Sequence, residues 1–454
     1  MAHDFVVVGG GIGGLTVAAL LAARGLNVCV FERSSEVGGC ARRVKYSDFD
    51  FEPGMGLHPC WGTGEIYDKI FAQLPISTPE THQLDSDYVV RLPDSTDVHL
   101  RKNSAEFSEE LRQSFPECSA EAIEFYELIG GAPTVATTLI EHARNTSGRF
   151  VRFLDAQLRA FIQTPIEHCT FRAAVDALSL PRQKLYSIVG GAATLCELLA
   201  EAVKLAGGSV RLNSPVLRLA YSETGDAVGI DLLSGERVFA TRGIISNMTI
   251  WDTYGKLIGL NRTPREVKKS LAKVRSGGAY LIYASLEQSA LQRVPAERFL
   301  ICSATAGETL ETSDITFATS LVTDQNDKRP VTLKANCPVD DWFAFQSSEE
   351  DYEAWDQEAL EKLWVRVHQA IPELGSDIEV IETANPRTFY DDTRRKLGMV
   401  MGLEQTAASS AVAGCRTSLP NVFIISDTVS DGFGLASVSQ TAFSLATNIM
   451  DRFS

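Results

Sequence analysis

Short apolar runs alternate with polar, glycine-marked breaks from the start of the chain. "DFVVV", Asp4 to Val8, is the continuous β-rich run expected of a parallel strand buried on both faces. It breaks at Gly9. The next apolar stretch, "GLTVAALLAARG" from Gly14 to Gly25, is rich in Ala and Leu and predicts a buried helix closed by its last glycine. "NVCVF", Asn27 to Phe31, predicts a second strand that stops at Glu32. Further along, "RFVRFLDAQLRAFIQTPIEH" (149–168) places Phe150, Phe153, Leu154, Leu158, Phe161 and Ile162 at helical spacing, interrupted by Gln157 and bordered by Arg149, Arg152 and Arg159. Such a helix either faces a core or lies in a membrane interface beside an apolar substrate. Glycine pairs bracket another helix in residues 185–219, and Ser234-Gly235 turns a hairpin within 227–247. Strand-like runs at 277–286, 316–323 and 331–339, with a helix near 353–371, form a third region. A strand, an acid, a glycine-bearing loop and a helix follow in 419–446.

The first of these units carries chemistry. Gly9, Gly11 and Gly14 satisfy G-x-G-x-x-G between a strand and a helix. The first glycine permits a tight turn, the second lets a pyrophosphate approach the backbone, and the third lets helix pack on strand. Glu32 then stands at the end of the second strand, about 20 residues on, where a carboxylate meets ribose hydroxyls and repels a 2′-phosphate. The glycine motif alone is weak; strand, glycines, helix, strand and acid in this order specify a dinucleotide.

The segment after Glu32, ending in "GGCARR" from Gly38 to Arg43, resembles the extended fingerprint of two-dinucleotide-binding-domain flavoproteins, in which a G-G pair and a downstream arginine wrap the FAD diphosphate. Arg42 falls at that arginine, and Cys40 takes a position often held by a basic residue. "FDFEPGMGLHP" (49–59) is similar to the stretch that runs beneath the flavin in the amine-oxidase and phytoene-desaturase superfamily, with Glu52 at the usual glycine and His58 directed to flavin or substrate. The 185–219 unit resembles the family's adenine-holding segment, with Val216 at the backbone contact. The 419–446 unit resembles its flavin strand, with Asp427 toward the ribityl hydroxyls and the helix beyond Gly434 toward the flavin ring. Ser426 replaces the usual glycine there and Asp431 the usual proline.

Together these segments resemble FAD-dependent oxidoreductases of the phytoene desaturase and carotenoid isomerase type. The resemblance implies an α/β Rossmann-type FAD domain assembled from 1–60, 185–270 and 385–454, and a mixed sheet-and-helix substrate domain from 61–184 and 271–384. It implies FAD contacts at Gly9, Gly11, Gly13, Gly14, Glu32, Arg33, Gly38, Gly39, Arg42, Val216, Asp427, Gly434, Leu435 and Ala436. Asp431 and His58 are the candidate proton carriers. The expected substrate is long, apolar and isoprenoid- or polyene-like, with desaturation ahead of isomerisation or saturation. An amine or amino-acid oxidase is the alternative.

Bulk properties narrow the partners. A net charge of -16 opposes nucleic acid and anionic membrane surfaces. Nine dispersed cysteines without a C-x-x-C pair and seven histidines without ligand spacing point to no metal and to a reducing compartment. One G-x-G-x-x-G unit predicts no dedicated NAD(P) domain. With no signal-like start and no spanning run, the expected location is cytoplasmic, with peripheral membrane contact through 149–168 as the variant.

Overall fold

The computed structural model describes residues 2–131, 141, 143, 146–320, 327–344, 349–430, 432 and 434–453. The first apolar runs form the strands Ala2–Val8 and Val28–Phe31, paired in parallel as expected of a sheet covered on both faces. The sheet extends, in order, through Val216–Tyr221, Ala227–Leu232, Arg237–Ser246, Ala2–Val8, Val28–Phe31 and Ser209–Arg211, and Val422–Ile424 joins the Arg237–Ser246 strand in parallel. The helix Ile12–Ala23 is buried almost all round, which explains why its sequence shows no polar face. It packs against Gly191–Leu205 and Gly434–Phe453.

Four parallel strands finish level with one another. Val8 lies opposite Phe31 and Ser246, and Ser246 opposite Ile424. The segments that follow these strand ends therefore share one crevice, the place where open α/β sheets bind ligands.

A second sheet runs Ile378–Ala384, Gly278–Glu287, Lys328–Cys337, Ile315–Thr319, Arg298–Ile301, Tyr88–Arg91 and Asp97–Leu100. Its alternating side chains feed two cores. Phe299 and Ile301 join Trp342 and the helix Glu349–Ala370 on one face, while Leu300 and Val90 join the helix Gly148–Ile162 on the other. The fold is α/β, with a mixed sheet-and-helix second layer. The strand run expected at 316–323 is shorter, ending at Thr319, and 321–323 lie outside the described residues.

The Gly148–Ile162 helix resolves the ambiguity of its pattern. Phe150, Phe153, Leu154, Leu158 and Phe161 are fully buried, and Phe115 meets Phe150 edge to face at 5.1 Å. Arg149 pairs with Asp94, Arg152 with Asp314 and Arg159 with Asp155. The apolar stripe is spent on the core and the arginines on ion pairs, so this helix offers no apolar face for peripheral membrane contact. Among the described residues no helix is long and apolar enough to cross a membrane.

Candidate functional site

A cavity of about 700 Å³ opens at the shared strand ends. Gly9 and Gly11 form its floor beside Glu32, Gly38 and Gly39. A Cβ on Gly11 would lie 2.7 Å from Asn247 Oδ1, so a side chain here would displace Asn247. The Ile12–Ala23 helix begins here without a side-chain cap, leaving its first N–H groups open to an anion. Gly13 and Gly14, expected as contacts, do not reach the cavity. A Cβ on Gly14 would meet the Gly9 carbonyl oxygen at 2.5 Å, and one on Gly13 would meet Val438 at 2.9 Å. They are packing positions that bring helix and strand together.

Glu32 is buried, and its two oxygens accept the N–H groups of Gly10 at 2.7 Å and Ser34 at 2.8 Å. That fixes the carboxylate on the cavity wall with lone pairs to spare. Val216 and Pro215 line the same end. Arg33 donates to the Asp392 carbonyl at 3.1 Å, and Arg42 pairs with the Asp392 carboxylate. Both arginines line the cavity, each already tied to the return segment.

Asp427, Gly434, Leu435 and Ala436 line the far wall. Arg395 holds Asp427 through Nη2, 3.0 and 2.8 Å from the two oxygens. Burial works against the Arg395 charge, but Asp427 outweighs it and raises the pKa. The pattern at 419–446 contained Asp427 and no hint of Arg395, which arrives from the loop after the helix Pro386–Thr393. Asp431 lies outside the described residues, as does its expected role in proton transfer.

His58 sits in the cavity wall, 6% exposed. Its Nε2 is 2.6 Å from Glu52 Oε1. Burial pushes the Glu52 pKa up, but His58 and Arg298 more than offset it and leave it below the ordinary value. An ionised carboxylate only accepts, so Nε2 is the donor to Glu52. The backbone on both sides is pinned. Tyr186 N–H donates to the His58 carbonyl at 3.0 Å, Thr332 to the Glu52 carbonyl at 3.0 Å, and Arg298 Nε to the Gly56 carbonyl at 3.0 Å. Beyond this pair the wall is apolar, formed by Met55, Leu57, Phe161, Leu180, Leu281 and Val400. Lys334 interrupts it, a cavity residue that the sequence pattern hid inside the apolar run at 331–339.

The family model for flavin containing amine oxidoreductases matches residues 12–365. The chain belongs to that family. It is 25% identical over 307 residues to a chloroplastic prolycopene isomerase from Daucus carota, covering 58% of this chain and 49% of the other. It is 24% identical over 326 residues to an all-trans-retinol 13,14-reductase from Danio rerio, covering 61% and 53%. The chain thus spans about half the length of the curated relatives it matches. An oxidoreductase structure from Methanosarcina mazei superposes with a TM-score of 0.71 over 98% of this chain and 99% of that one, at 15% identity, a likeness of fold. The cofactor of this flavoprotein is FAD. The uncapped helix start, the glycine floor and the Glu32 carboxylate fit its diphosphate and ribose.

Proposed function

We propose that the chain is an FAD-dependent oxidoreductase that acts by hydride transfer on a long, apolar, isoprenoid- or polyene-like substrate, with desaturation as its reaction. One observation carries this reading: the cavity that begins on the nucleotide-binding glycines continues to a wall of Met55, Leu57, Phe161, Leu180, Leu281 and Val400. The names of the two relatives, a prolycopene isomerase and a retinol reductase, support the same substrate class. Gly9, Gly11, Glu32, Gly38, Gly39, Arg33, Arg42, Val216, Asp427 and Gly434 to Ala436 would hold FAD, which supplies a hydride acceptor at N5 when bound.

The protein's own part is to exclude water with the apolar wall and to handle a proton. His58 takes that proton at Nδ1 from the carbon adjacent to the one that gives up hydride, so that a C=C bond forms between them. Glu52 steadies the imidazolium through Nε2 and is a positioning residue. The presence of a proton acceptor favours desaturation over isomerisation, which has no net proton to discard. The residues expected to divide the chain into an FAD domain and a substrate domain keep those assignments in this reading.

Solvent extraction of the protein purified from its producing cells, followed by chromatography with absorbance and mass detection, tests the proposal. The expected result is FAD together with a conjugated or isoprenoid ligand. FAD alone, with anaerobic bleaching of the flavin by a primary amine, would overturn it in favour of an amine oxidase.

A further inference from the structure

The strands Gly278–Glu287 and Lys328–Cys337 pair antiparallel with Leu281 opposite Lys334, and both residues line the cavity. Side chains two apart on a strand share a face. Thr332, which donates to the Glu52 carbonyl, and Lys334 therefore both lie on the face turned toward the 49–59 segment. Lys334 is 5% exposed. Its Nζ donates to the Ala160 carbonyl at 3.3 Å, in the last turn of the Gly148–Ile162 helix, and Asn336 Nδ2 donates to the neighbouring Arg159 carbonyl at 2.6 Å. The partial negative charge of this helix end favours an ammonium.

That single acceptor leaves the group incomplete. An ammonium has three donors. Among the described residues no carboxylate pairs with Lys334, and the Cys337 thiol is the one ionisable neighbour acting on it. Nearby partly buried cations have acid partners, Arg395 with Asp427, Arg152 with Asp314 and Arg159 with Asp155, and the buried Arg298 has Glu52 acting on it. Burial without a counter-charge brings the Lys334 pKa down to about 7. An amine on the wall of an apolar cavity, with one acceptor and donors to spare, is completed by an anion that arrives through the cavity and holds its proton.

We infer that Lys334 is the receptor for a carboxylate on the substrate, so that the molecule this cavity takes is an apolar chain bearing a carboxylic acid. This rests on the apolar-substrate reading above and narrows it. One ammonium matches a monoanion. A diphosphate needs several cations, and an alcohol leaves the charge uncompensated.

The test uses the full-length holoenzyme and two probes of equal length: a conjugated-tetraene fatty acid and its methyl ester, with binding followed by equilibrium dialysis. The wild-type protein is expected to bind the acid at least about 10-fold more tightly than the ester, the worth of one hydrogen-bonded charge. Lys334→Met is expected to erase that preference by weakening the acid alone, and Lys334→Arg to keep it. Equal binding of acid and ester to the wild type overturns the inference and leaves the apolar-substrate reading standing. Weakening of both probes alike by Lys334→Met overturns it too, since that is what a mere helix cap would do. Binding of neither probe overturns both. The wild-type comparison stands by itself if the methionine variant loses its flavin.

Discussion

In the proposed reaction His58 is the proton acceptor. Its Nε2 is engaged by Glu52 and its backbone is tied to Tyr186, which leaves Nδ1 for the proposed proton transfer. With the extracted ligand as substrate, His58→Gln is expected to slow anaerobic flavin reduction by about 10²–10⁴-fold at unchanged FAD content, followed by stopped-flow absorbance. An unchanged rate would remove His58 from proton transfer. Residues of this kind were legible to different degrees. Glu32 and Gly11 act through their place in a local strand–turn–helix unit, so spacing alone revealed them. Glu52 stood out as a carboxylate at a glycine position, but its partnership with His58 depends on how the 49–59 loop folds back. Arg395 and Lys334 were invisible because their meaning comes from what faces them: Asp427, 32 positions away, in one case, and no carboxylate among the described residues in the other.

At the scale of elements, periodicity identified the helix within residues 149–168 and left its surroundings open. An apolar stripe with arginines along it suits a bilayer surface as well as a protein core. The choice was made by Asp94 and Asp314, 55 and 162 positions from their arginine partners, and by the aromatic cluster of Phe115, Phe125 and Tyr126. Distances like these leave no trace in a local pattern. Burial sets the expected cost of disturbing the stripe: Phe153→Ala is expected to destabilise the protein by about 3–5 kcal/mol, measured by chemical denaturation. A helix lying on a membrane would lose almost nothing in the same experiment, so an effect below about 1 kcal/mol would return the interfacial reading. The parallel strands were easier. Continuous runs such as Asp4 to Val8 and Asn27 to Phe31 have one sensible environment, a sheet covered on both faces.

Across the whole molecule, the site is a meeting of segments far apart in the chain. Its lining comes from residues 9–11, from 215–216 and from 427 and 434–436. The order of these motifs was readable because each is a local unit. The apolar walls of the cavity were not, since Phe161, Leu180, Leu281 and Val400 come from four separate segments, two of them a regular helix and strand, brought together only by the fold. The placement of the Gly434–Phe453 helix against Ile12–Ala23 also has a consequence for biosynthesis. The nucleotide-binding unit precedes that helix by more than 400 residues, so one part of the Ile12–Ala23 surface lacks its native cover while the intervening chain is made. The flavin site is therefore incomplete until that helix is in place, since Gly434, Leu435 and Ala436 also line the cavity. A chain stopped at residue 433 is expected to carry no FAD and to associate with chaperones, as read by absorbance and pull-down, whereas a stoichiometric flavin in that fragment would show that the opening unit matures alone. Until that late helix docks, the strand–helix unit around Gly9 is half of a site.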